Sequence, residues 1–215
     1  MSSPRIQILF SLGEGLVRST LKKGAVSEQP WWRLAQRDNW WGEKMFDHGE
    51  ISTLAQRLGD ELGKRAWFVT SAESCTGGAI AAAITSIPGA SNWFDGSIVS
   101  YADRIKHSVL GVDAKDLKLF GAVSEPVARQ MACGVLAMMD ANLSVAVSGI
   151  AGPDGGSEEK PVGTVWIAWA HAEGQEPVQI DAQCFHFQGE RTSVQAQTVM
   201  EAIKGMLAIL DEHPV

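Results

Sequence analysis

From Ile51 onward the apolar positions fall alternately into a helical and a strand period. Ile51, Leu54, Ala55, Leu58 and Leu62 mark one helix face, which Gly63 helps to end. Residues 66–70 form a short apolar run that reads as a buried strand, and residues 77–87 read as a helix stopped by Pro88-Gly89. Asp95-Gly96 reads as a turn into a second strand over 97–101. A short helix follows from Arg104 to Leu110, closed by Gly111. Ser124 is a good N-cap, Pro126 fits a first helical turn, and Met131, Val135, Met138 and Met139 give that long helix an apolar face. Residues 143–147 are nearly all apolar, as in a strand buried on both faces. A fourth strand over 162–170 and an alternating fifth over 178–187 are joined by a short connection, which predicts a hairpin. A last helix runs from about Arg191 to Leu210. Strand–helix–strand order implies parallel pairing through right-handed crossovers, and the hairpin adds an antiparallel edge. The expected fold class is α/β, a three-layer α/β/α sandwich with a mixed, mainly parallel sheet.

Residues 1–48 show neither period. Four of the chain's eight tryptophans fall there, as Trp31-Trp32 and Trp40-Trp41 between Pro30 and Gly42. The segment reads either as an aromatic docking surface or as an extension packed on the domain, with Met45 as an alternative start. The expected organisation is a Trp-rich extension, 1–48, before one domain, 49–215.

Composition narrows the function classes. A net charge of -7 without any basic run argues against sequence-independent nucleic-acid binding. No stretch of about 18 apolar residues predicts a membrane span, and no secretory signal is legible. Three cysteines, Cys75, Cys133 and Cys184, are an odd number without ligand spacing. That suits free thiols in a reducing compartment, no metal, and a cytoplasmic location. Met-rich and Trp-bearing surfaces point to a homodimer or higher homo-oligomer.

Three segments carry candidate chemistry. The first is Ser71-Ala72-Glu73-Ser74-Cys75-Thr76-Gly77-Gly78, between a strand and a helix. Unpaired N–H groups at a helix start can hold an anion, and the turn can display a nucleophile; a plain capped helix start is the alternative. Ser74 is the preferred nucleophile over Cys75, whose place in the turn favours packing. None of the five histidines lies in a Gly-rich turn and no G-x-S-x-G elbow is present, so a Ser-His-Asp triad is not indicated. The second pair is Tyr101 and Lys106, just beyond a strand's carboxyl end, where ligands collect in parallel sheets. A desolvated lysine can act as a base; the alternative is a solvated lysine and a strand-end aromatic. The third is the Gly-rich stretch from Ser148 to Thr164, whose N–H groups can form an anion nest. It has neither Walker nor Rossmann spacing. Arg191 can add a charged contact.

Together, Ala72-Glu73-Ser74-Cys75-Thr76-Gly77-Gly78, Gly121-Ala122-Val123-Ser124-Glu125 and Ser148-Gly149-Ile150-Ala151-Gly152-Pro153-Asp154-Gly155-Gly156 resemble the CinA C-terminal domain family. The likeness continues through Lys160-Pro161-Val162-Gly163-Thr164-Val165 and covers roughly residues 50–212. The family includes bacterial amidases that convert nicotinamide mononucleotide to nicotinate mononucleotide and ammonia, recycling pyridine nucleotides. The resemblance implies Ser74 as nucleophile, with Tyr101 and Lys106 activating it and relaying its proton. It implies an oxyanion site at the N–H groups of Thr76, Gly77 and Gly78. Ser148, Gly149, Ala151, Gly152 and Arg191 would hold the ribose phosphate, with no cofactor. The family often carries Tyr-Ser-Asn where this chain has Tyr101-Ala102-Asp103, which adds a charge near Lys106. The chain looks like the stand-alone form, without the large N-terminal domain of full-length members. A non-catalytic nucleotide- or partner-binding module of the same fold is the other reading.

Overall fold

The computed structural model describes residues 48–174 and 176–213. The Trp-rich segment, and the expectations attached to it, lie outside the described residues. In chain order the elements are α1 (His48–Arg65), β1 (Val69–Glu73), α2 (Ala79–Thr85), a 3-10 turn (Ala90–Asn92) and β2 (Phe94–Val99). There follow α3 (Asp103–Leu110), α4 (Ala114–Phe120), α5 (Glu125–Met139), β3 (Leu143–Gly149), β4 (Thr164–His171), β5 (Gln179–His186) and α6 (Arg191–Glu212). The five strands lie in the order β2-β1-β3-β4-β5.

β1 pairs in parallel with β2 and with β3, whereas β3–β4 and β4–β5 are antiparallel. Four strands share one direction and β4 alone is reversed, so the expected mixed sheet is present, with half of its neighbouring pairs parallel. The cause is β4, which returns from β3 without a helix and reverses against it.

The sheet separates two cores. On one face, Val145, Val147, Val165, Ile167 and Trp169 pack with Leu58 and Leu62 of α1, Ile80 and Ile84 of α2, and Ile203 and Met206 of α6. On the other, Ala72, Ala146, Ala168 and Ala170 meet Val127, Met131 and Val135 of α5 and Leu110 of α3. Small alanines let α5 sit close to the sheet. The three layers expected from the sequence are therefore present.

Several boundaries move, each for a physical reason. β1 begins three residues later than the apolar run and continues through Ser71, Ala72 and Glu73, all five of its residues being buried. Its polar side chains escape the hydrophobic pattern because they are satisfied inside. Thr70 Oγ1 donates to Gly96 O at 2.9 Å, and the Ser71 and Ser97 hydroxyls are 2.6 Å apart. Trp67 belongs to the connection, where Ala66 turns the chain with φ 51°. Asp95 and Gly96, expected as a turn, lie inside β2. Val69 pairs with Phe94 and Thr70 with Gly96, so Asp95 is the extra residue of a bulge on an edge strand. Tyr101 falls two residues beyond that strand. α4 was not legible because none of its residues is buried; Asp113 caps it by accepting from Lys115 N–H at 2.7 Å.

Gly134 marks the tightest approach behind the site. A Cβ there would lie 2.0 Å from the carbonyl oxygen of Leu110, the last residue of α3. Gly134→Ala is expected to lower stability by roughly 1–3 kcal/mol through overpacking, read as a shift in the urea midpoint at constant slope. A midpoint equal to that of the wild type would show that α3 and α5 have slack.

Candidate active site

Ser74 sits where β1 ends and the chain turns towards α2. Its N–H still donates to Val147 O of β3 at 3.1 Å, so the backbone leaves the sheet only after this residue. Gly77 then donates to Ser74 O at 3.2 Å. Gly77 and Gly78 have φ of 64° and 104°, a left-handed path that side chains disfavour. The glycine pair thus makes the sharp turn that holds the serine at the sheet's end.

Glu73 supplies the turn's internal support, and sequence reasoning did not single it out. It is fully buried. Its Oε2 accepts from Thr76 Oγ1 at 2.7 Å, Gly78 N at 2.9 Å and Ile80 N at 3.1 Å, while Oε1 accepts from Ala81 N at 2.9 Å. A carboxylate of the protein itself therefore fills the start of α2, where the octapeptide suggested room for a ligand anion. This also changes the expected oxyanion donors. The N–H groups of Gly77 and Gly78 are used within the turn, leaving those of Cys75 and Thr76 without an oxygen acceptor among the described residues. The available signal was an acidic residue shortly before a helix start, which can cap it.

Lys106 comes from α3, 32 residues later, and only 1% of it is exposed. Its Nζ is 3.2 Å from Ser74 Oγ, 2.9 Å from Ser100 O and 3.1 Å from Tyr101 O. The solvated-lysine alternative is thereby corrected: the aliphatic stem crosses the interior and the amine ends on the serine. Burial holds this amine below the usual lysine range, opposed chiefly by the Asp103 carboxylate. Tyr101 approaches through its carbonyl. Its side chain is 63% exposed, and its hydroxyl makes no hydrogen bond among the described residues.

Cys75 points inward as expected. It is 4% exposed, and burial pushes its thiol up to about 12. Only a thiolate is a strong nucleophile, so this thiol is inert near neutrality. Its carbonyl accepts from Gln195 Nε2 of α6 at 2.8 Å, a brace on the turn that sequence reasoning missed. Cys75→Ala is expected to retain activity within about tenfold, and brief iodoacetamide treatment is expected to leave the wild type active. Rapid inactivation by alkylation at Cys75 would transfer the nucleophile's role to the thiol.

The Gly-rich loop after β3 is held on several sides. Ile150 N donates to Thr164 O at 2.9 Å and Gly163 N to Ile150 O at 2.8 Å. Ser148 Oγ donates to Ala122 O at 2.7 Å, and Lys160 Nζ donates to Phe120 O and Val123 O at 2.8 Å each. Gly149 lies against β4, where a Cβ would meet Val165 Cγ2 at 2.6 Å. Ala151 is buried. Gly152 has φ 83°, and its carbonyl accepts from Arg191 Nη1 at 2.9 Å. Arg191 thus joins the loop to the start of α6, and its charge is felt at Cys75. The structure brings Ser74, Lys106, Thr76 and Arg191 to one end of the sheet. Ser148 spends its hydroxyl proton on a backbone carbonyl.

A groove elsewhere on the domain lacks such a pairing. An open groove of about 360 Å³, lined by Leu110, Gly111, Arg129, Gln130, Cys133, Gly134 and Ile180, contains no nucleophile paired with a base. Among the described residues, no three His, Cys, Asp or Glu side chains converge on a metal-sized site.

Comparison with known proteins identifies the family. The model of the CinA C-terminal domain matches residues 51–210. A protein named nicotinamide-nucleotide amidohydrolase PncC from Enterobacter agglomerans is 48% identical over 157 residues, covering 73% of this chain and 93% of its own. The protein of the same name from Escherichia coli K12 is 46% identical over 155 residues, covering 72% and 92%. The crystal structure of the competence/damage inducible protein CihA from Agrobacterium tumefaciens superposes with a TM-score of 0.73 at 41% identity, covering 78% of this chain and 99% of that one.

Proposed function

The chain belongs to the CinA C-terminal domain family, and on that premise we propose that it is a nicotinamide-nucleotide amidohydrolase. Its substrate is nicotinamide mononucleotide, and Ser74 is its nucleophile. The observation that carries this reading is the 3.2 Å contact between the buried Lys106 amine and Ser74 Oγ. The relatives' printed names support the substrate class.

A neutral amine has two N–H donors and one lone pair. Ser100 O and Tyr101 O, at 2.9 and 3.1 Å, take the two donors, which leaves the lone pair for the Ser74 hydroxyl. Lys106 removes the Ser74 proton as Oγ attacks the carboxamide carbon. The resulting oxyanion is received by the N–H groups of Cys75 and Thr76, which have no other acceptor among the described residues. Protonated Lys106 then gives its proton to the departing nitrogen as the C–N bond breaks, and ammonia leaves. Water, deprotonated by the same amine, opens the acyl-serine ester and returns the hydroxyl to Ser74. Arg191 and the loop from Gly149 to Gly152 hold the ribose phosphate, whose binding orients the distant amide.

The test is ammonia release from nicotinamide mononucleotide by the purified chain, with nicotinate mononucleotide identified as the coproduct. A folded sample that binds the nucleotide without turning it over would favour the non-catalytic module.

A further inference from the structure

Among the described residues Lys106 has four oxygen neighbours, and only one of them belongs to an exposed side chain. Ser74 Oγ and Ser100 O are buried with the amine and Tyr101 O is half-buried, whereas Asp103 Oδ1 lies 3.5 Å from Nζ on a side chain that is 60% exposed. Asp103 opens α3 and precedes Lys106 by three residues, so helical spacing sets both on one face. Of the four neighbours it alone is charged. We propose that Asp103 is a positioning residue which holds the protonated form of Lys106 and so sets the pH above which the amine serves Ser74 as a base. This rests on the reading of Lys106 given above.

The two carbonyls accept N–H bonds from neutral and protonated Lys106 alike, so they choose weakly between the forms. A carboxylate favours only the ammonium. Burial acts in the opposite sense and is the larger influence. Two other titratable groups face Lys106. Cys75, from the β1–α2 turn, has its thiol pushed up to about 12 and stays neutral, and Tyr101 comes from the β2–α3 link. Glu73 and Arg191 act one step further away, on Cys75. Among the described residues Asp103 is therefore the one carboxylate beside the amine that solvent reaches, and salt can weaken it.

The experiment titrates Lys106 directly, by carbon NMR of lysine labelled at Cε, with the resonance assigned by its loss in Lys106→Met. Wild type, Asp103→Asn and Asp103→Glu are compared at about 0.02 M and about 0.5 M salt. At low salt the Asp103→Asn midpoint is expected to fall by roughly half a pH unit, as suits a half-exposed pair. Asp103→Glu should restore much of that shift. High salt should lower the wild-type midpoint towards that of Asp103→Asn, by more than it moves exposed lysines such as Lys118. Should the Asn variant fold poorly, this salt response of the wild type decides the matter. Equal midpoints in wild type and Asp103→Asn, or a salt response no larger than that of Lys118, would overturn the proposal. The titration needs no substrate. A chain that releases no ammonia would reject the amidase reading and leave this test intact. An acid limb of ammonia release that ignores the measured Lys106 midpoint would reject Lys106 as the base.

Discussion

Ser74→Ala is expected to slow ammonia release from nicotinamide mononucleotide by about 10³-fold or more, with the fold intact. The substitution removes one hydroxyl from a turn whose shape does not depend on it. Glu73 still caps α2, Val147 O still receives the N–H of residue 74, and Gln195 still braces Cys75. Lys106 keeps both backbone carbonyls and Asp103. Thermal unfolding should therefore shift by only a few degrees, about 1 kcal/mol or less for one lost hydrogen bond. Nucleotide affinity, set by remote contacts, should persist, so kcat falls while binding by calorimetry does not. A mass increase on the wild type during turnover, absent from the variant, would identify the acyl-serine. Residual turnover within about tenfold of wild type would mean that Ser74 does not attack.

Lys106→Met carries the second large expectation, a loss of about 10²–10⁴-fold, the usual worth of a positioned base. Methionine fills most of the same channel without an amine. Stability responds to two opposed effects. Removing an amine whose charged form is disfavoured by burial is favourable, whereas leaving Ser100 O and Tyr101 O without donors costs about 1–3 kcal/mol. The net change should be small next to the loss of activity. The pH profile separates the base from a structural role. Burial lowers the wild-type amine from the ordinary lysine value, so the active neutral form accumulates as pH rises through that lowered value, and kcat/KM rises with it. The residual activity of Lys106→Met should lack that limb. A variant that retains the same limb would place the titrating base elsewhere.

The parts legible in the sequence were those written in local chemistry. The face of α1, the Gly111 stop of α3, the start of α5 and the β4–β5 hairpin each needed only periodicity, a cap or a short connection. Ser74 in its Gly-rich turn was legible for the same reason. Lys106 was visible as a candidate, yet its local sequence suits a solvated helix residue equally well. Its burial depends on the β2–α3 link bringing α3 beneath the β1–α2 turn, 32 residues away. Glu73 offered only the weak signal of an acidic residue before a helix start, and Gln195 offered none, because both mainly serve backbone groups of a turn that folding assembles.

The order of apolar and polar positions determined by itself that this chain makes an α/β sandwich and where a strand must turn sharply into a helix, because those are consequences of neighbours a few residues apart. Tertiary structure decided which groups at that turn remain free to react. Folding spends the first N–H groups of α2 on Glu73, closes Cys75 off from water, and delivers an amine through the interior to Ser74. Each outcome depends on burial and on contacts between distant segments, and a linear pattern records neither.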